Sequence, residues 1–138
     1  MHLQEAKDRV RDVWHDSAEA TLCLALVDLL AKHRDAIERV SFGLIDQVAR
    51  EHQIDDQAVV AGAVQYLIGH DLHLLDPIYE YIDDDDHVYV VRSREMNQTL
   101  STGAFHHPLT GEIDPDYESK VFLSFSPSVI ARELREAP

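Results

Sequence analysis

Apolar residues recur at helical spacing through the first half of the chain. Leu3, Ala6, Val10, Val13 and Trp14 share one face, so residues 3–14 read as an amphipathic helix. Ser17 stands where a cap is needed for a second helix ending near His33. Leu22, Ala25, Leu26, Leu29 and Leu30 make that helix apolar over most of its surface, which marks it as the central one. Asp35 followed by Glu38 has the spacing of a capping box, with Asp in place of Ser or Thr. It predicts a third helix in which Ile37, Val40, Leu44 and Val48 share a face. Asp55 or Asp56 caps a fourth, striped by Val60, Ala63, Val64, Leu67 and Ile68 and ended by Gly69.

The period then changes. Residues 77–82 and 87–91 are aromatic and β-branched, with Asp83, Asp84, Asp85 and Asp86 between them, which predicts a β-hairpin. Ser93 caps a short helix through about Leu100. Residues 101–126 read as an ordered arm, punctuated by His107-Pro108, Thr110-Gly111 and Asp114-Pro115. Within it, the alternation of Val121 to Phe125 suits a strand pairing inside the domain or with a second copy, so a homodimer stays open. Ser126-Pro127 opens a final helix with Val129, Ile130 and Leu134 on one face. The expected fold is α+β and mainly helical. Residues 1–100 form one domain with an N-terminal helix, and residues 101–138 form an arm and short helix packed on it.

Composition narrows the function. The chain has 138 residues, 45% of them hydrophobic, which is enough for one core. Its net charge of −14 weighs against a broad nucleic-acid or membrane-surface role, because phosphates repel carboxylates. The single cysteine, Cys23, lies among Leu residues and reads as a small buried hydrophobe. The N-terminal residues are polar, unlike a signal peptide. The longest apolar stretch, Leu22 to Ala31, is interrupted by Asp28 and too short to span a bilayer. A cytoplasmic protein is expected.

Helix, helix, short turn, helix, then hairpin is the order of a winged helix-turn-helix domain, which residues 18–91 resemble. Ser41-Phe42-Gly43-Leu44-Ile45-Asp46-Gln47-Val48-Ala49-Arg50 stands where the motif's first helix stands, and Glu51 to Asp55 is the turn. Asp56 to Ile68 takes the place of the recognition helix and Ile78 to Val91 that of the wing. The resemblance implies DNA binding through the major groove. The chain departs from it in charge. From Glu51 to Val91 there is no Lys or Arg, but there are ten acids: Glu51, Asp55, Asp56, Asp71, Asp76, Glu80 and Asp83 to Asp86. The phosphate-neutralising contribution therefore has the wrong sign for DNA on those two elements.

The leading expectation is a non-enzymatic, regulatory protein that binds another protein. The acidic face suits a basic partner, including, as one version, a nucleic-acid-binding protein whose site it would occupy. The expected contact residues are Gln65, Tyr66, Asp83, Asp84, Asp85 and Asp86, since the outward side of the fourth helix offers Ala58, Ala61, Gly62, Gln65 and Tyr66. A DNA-binding transcriptional regulator using Gln65 and the basic residues of the early helices is one alternative. The other is a metal-dependent enzyme or sensor. His70, Asp71 and His73, with Asp76 nearby, have the residue types of a divalent-metal site, and His106-His107 could add ligands. Asp83 to Asp86 with His87 could hold Ca²⁺ or Mg²⁺ through carboxylate oxygens. No other cofactor is implied. There is no Gly-rich phosphate loop, nucleophile elbow or Cys-x-x-Cys, so no catalytic residue is assigned.

Overall fold

Helices start where a side-chain oxygen can take an orphan backbone N–H, and three such caps lay out the helical half. In the computed structural model, which describes residues 1–135, α1 is Leu3–Trp14. Ser17 accepts from the Ala20 N–H at 3.1 Å and opens α2, Ala18–Lys32. Ser41 accepts from the Leu44 N–H at 3.1 Å and opens α3, Phe42–Glu51. Asp56 accepts from the Ala58 N–H at 2.9 Å and opens α4, Gln57–Ile68.

The third helix therefore starts at Phe42, not at Asp35. Val40 explains the difference. Its N–H donates to the Phe125 carbonyl at 2.7 Å and its carbonyl accepts from the Phe125 N–H at 2.9 Å. A residue exchanging both groups with a distant strand cannot also serve a helical ladder.

Strand β1 is Leu75–Ile82 and β2 is Val88–Val91. They pair antiparallel, with Tyr79 opposite Val91 and Ile82 opposite Val88. Helix α5, Ser93–Thr102, follows directly. Arg92 occupies the cap position and Ser93 is already helical, so Ser93 is not the cap. The arm contains a 3-10 turn, Tyr117–Ser119, and a strand β3, Val121–Pro127. The sheet runs β2-β1-β3, so β3 pairs inside the chain. The last helix, α6, is the single turn Val129–Arg132. Pro127 ends β3 instead of opening α6, and Ser128 makes the cap by accepting from the Ala131 N–H at 3.1 Å. Ala131 is its buried residue and Leu134 is buried just beyond its end, while Val129 is exposed.

Two compact units result: residues 1–76 with the described chain from Phe125 onward, and residues 77–124. In the first, α2 is central, as its all-round apolarity predicts. It buries Leu22, Cys23, Leu26, Val27 and Leu30 against α1, α3, α4 and α6. In the second, Tyr81, Val91, Met96 and Phe105 form a small core, with Tyr79, Tyr89, Tyr117 and Val121 packed on it. No helix among the described residues is long and apolar enough to cross a membrane.

Candidate functional site

The helix face expected to meet a partner is partly built over. Gln65 is exposed, but Tyr66 is half-buried and packs edge-on against Trp14 of α1, ring centroids 6.2 Å apart. A Cβ on Gly62 would sit 3.5 Å from the same indole, an ordinary van der Waals contact, so α1 packs closely over this part of α4. The Tyr66 hydroxyl donates to the Asp71 carboxylate and lies 3.3 Å from the Arg9 carbonyl. Arg9 in turn donates to the Asp71 carbonyl at 2.7 Å. Burial first, then the Asp71 carboxylate, pushes the Tyr66 phenol well above its ordinary pKa.

These bonds also account for the histidine-rich turn. Asp71 faces Tyr66, and His73 Nε2 lies 2.5 Å from Asp76 Oδ1. His70 is exposed. Among the described residues, His70, Asp71 and His73 do not converge on one point. Among the described residues, the group able to reach a common ion is Asp83, Asp85 and His87 at the hairpin tip.

That tip is where the acids of residues 77–124 are concentrated. Asp83 N–H donates to the His87 carbonyl at 3.0 Å, and the Asp83 carbonyl accepts from Asp86 N–H at 3.0 Å. Asp86 has φ +62°. This is the pattern of a three-residue hairpin loop whose third residue is left-handed, a conformation Asp tolerates better than most residues. The four aspartates have different surroundings. Asp83 points inward, its side chain 8% exposed, and accepts from the N–H groups of Asp85 and His87 at 3.0 and 2.9 Å. Asp84 is 86% exposed and lies 3.1 Å from Lys120 Nζ. Asp85 and Asp86 are exposed.

His107 fixes Asp83 from the arm. Its Nδ1 accepts from the N–H groups of Leu109 and Thr110 at 3.0 and 3.2 Å, so the ring proton sits on Nε2 and is donated to Asp83 at 3.0 Å. The ring also stands edge-on to Tyr81 and Tyr89, at centroid distances of 5.5 and 5.1 Å. Beside it, the Tyr81 hydroxyl donates to Asp114 at 2.5 Å and Lys120 donates to the same carboxylate at 2.8 Å.

Charge follows geometry here. The His107 bond, followed by the backbone donors, holds the Asp83 carboxyl below the usual carboxylate range. Lys120 and then Tyr81 pull Asp114 down to about 2. Burial, then Asp114, lifts the Tyr81 phenol to about 12. Asp114 and then Asp84 raise Lys120 above its ordinary value. Burial and then the Asp83 charge raise Tyr89. An open cavity of about 400 Å³ lies over this network, rimmed by Asp84, Asp85, Glu112, Asp116 and Lys120.

The sequence placed Asp83 to Asp86 at the tip, offered His107 only as an added metal ligand, and gave no role at this site to Asp114 or Lys120. One signal was available: Lys120 is the only base between Arg94 and Arg132, in a stretch dense in acids. A lone base in such surroundings is a ready internal partner. Comparison with protein-family models, with curated proteins and with solved structures finds no match to this chain.

Proposed function

We propose that this is a non-enzymatic protein that binds a basic protein partner through the hairpin end of residues 77–124. The observation that carries the reading is the division of labour among the four aspartates. Asp83, bonded to His107, fixes the loop, and this leaves Asp85 and Asp86 exposed on a rigid tip. Glu112 and Asp116 stand on the rim of the neighbouring cavity. A preset acidic surface binds with less ordering cost than a floppy acidic run.

Two further observations favour this over the alternatives. Both ring nitrogens of His107 are engaged by hydrogen bonds, so the ring is a structural tie instead of a poised base or ligand. On α4, Trp14 packs against Gly62 and Tyr66, and the exposed Gln65, the residue a DNA reader would aim at a base edge, lies in a stretch with ten acids and no Lys or Arg. Helices α3 and α4 then serve as scaffold.

The test is fluorescence anisotropy with a labelled Lys- and Arg-rich peptide and with a DNA duplex of equal length. Asp85→Asn with Asp86→Asn removes two exposed charges and keeps a residue that accepts positive φ. At about 0.2–1 kcal/mol per exposed pair, the double variant should bind the peptide about twofold to thirtyfold more weakly. The difference should shrink as salt rises. Equal peptide binding by both proteins, or tighter binding of the duplex, would overturn the proposal.

A further inference from the structure

The outer face of the hairpin unit is unusually apolar for a surface. Tyr81, Tyr89, Val91 and Val121 belong to the inner core. Alternation along each strand therefore sends Val88, Val90 and Phe122 to the opposite side, where they are 55%, 65% and 56% exposed. Val88 and Val90 also lie on an edge strand, because the sheet runs β2-β1-β3.

The hydrogen-bond phase of that edge can be worked out. In an antiparallel pair, closed and open residue pairs alternate. Asp83 N–H donates to His87, so that pair is closed, and so are Tyr81–Tyr89 and Tyr79–Val91. The pairs Ile82–Val88 and Glu80–Val90 are then open. Ile82 agrees with this, because its N–H donates to Lys120 on the other side and not to Val88. It follows that Val88 and Val90 turn their N–H and C=O groups away from β1. Among the described residues no backbone group pairs with them.

We propose that this edge pairs with the same edge of a second copy, antiparallel, about a two-fold axis at Tyr89. Three symmetric registers lie close together. Centring on Val88 sets Val90 against Asp86, and centring on Val90 sets Val88 against Arg92. Centring on Tyr89 sets Val88 of each copy against Val90 of the other, on one face, with each valine exchanging both backbone groups. The same register brings Asp86 of each copy opposite Arg92 of the second copy. Both residues are exposed and Arg92 has extended backbone with ψ 147°, but Asp86 is left-handed and its N–H is bonded to Asp83, so backbone pairing stops at Val88 and Asp86 contributes charge alone. Apolar groups, backbone groups and charges are thus complementary in one register. The contact is short, well below the roughly 1,600 Å² of a standard interface, so the association is weak and concentration-dependent. This inference does not rest on the basic-partner reading.

The experiment is sedimentation equilibrium of the full chain over about a hundredfold range of concentration at about 0.15 M salt, where the Debye length is about 8 Å. The average mass should rise from 15.7 kDa towards twice that value. Val90→Pro removes the outward donor, and proline is compatible with an edge strand whose N–H faces solvent. This variant should keep the native circular dichroism spectrum and associate about tenfold more weakly or worse. Arg92→Asp should also weaken association, and combining it with Asp86→Asn, which removes the facing charge and keeps a residue that accepts positive φ, should recover part of it. A wild-type mass constant at 15.7 kDa overturns the proposal, as does undiminished association of a folded Val90→Pro variant. Association as weak in the Arg92→Asp, Asp86→Asn double variant as in Arg92→Asp alone overturns the register.

Discussion

Phe105→Ala tests whether the small core of residues 77–124 is what holds the hairpin end. Phe105 is 2% exposed, its ring 4.6 Å from Tyr81 and stacked on Tyr117 at 5.5 Å. Tyr81, Val91 and Met96 are the buried hydrophobic residues clustered with it. Truncating a core Phe costs about 3–5 kcal/mol, including the loss of aromatic contacts of about 0.5–1.5 kcal/mol each. At about 0.05–0.15 kcal/mol per residue, a unit the size of residues 77–124 holds only about 2–7 kcal/mol. The loss is comparable with the whole of it, and a core of four buried residues has little to repack. Hydrogen exchange followed by mass spectrometry should show protection lost in β1 and β2 and retained in α2, with most of the helical circular dichroism intact. Unchanged hairpin protection would refute the reasoning. So would equal loss of protection in α2 and the hairpin, because the damage would then be global and not local.

Two further outcomes follow from charge and burial. Asp114 titrates near 2 in the fold against an ordinary 3.8, so its contribution to stability is complete above about pH 4 and lost as pH falls through 2; Asp83 acts in the same sense. Tyr81 titrates near 12 against an ordinary 10, so its contribution is present below pH 10 and lost as pH rises through 12. Thermal melts followed by tyrosine near-ultraviolet circular dichroism should therefore fall off at both ends, and Lys120→Met should shrink the acid limb. An acid limb unchanged in that variant would remove the ion pair from the account. The Cys23 thiol, raised to about 12 by burial and then by the Glu19 charge, should resist a thiol reagent at pH 8 until the chain unfolds. Labelling of the native protein within minutes would contradict its burial.

The helical half was readable because its determinants are local. Ser17, Ser41 and Asp56 each cap from within three residues of the N–H they serve, and the buried positions follow one period. Apart from the one-residue shift at Ser93, the misplaced starts, at Asp35 and at Ser126-Pro127, have distant causes. Val40 is claimed by Phe125, and the Ser128 N–H by Leu74. A capping pattern cannot compete with a pairing that it does not contain. The hairpin was legible from its composition, but the roles at its tip were not. Asp83 differs from Asp84 only through His107, which lies 24 residues further on. Likewise Tyr66 looked free on the outward side of a helix until α1 was laid across it.

The aspartate run has one more consequence, for its length. By charge alone, the gain or loss of one acid would be nearly silent in a chain of net charge −14. The geometry says otherwise. One position must reach His107, one must adopt a left-handed backbone, and the count between them closes the loop. Deleting any of the four yields the same chain of three, in which no assignment meets both demands while keeping the strands in register. The run is a repeat in the sequence but not in the fold.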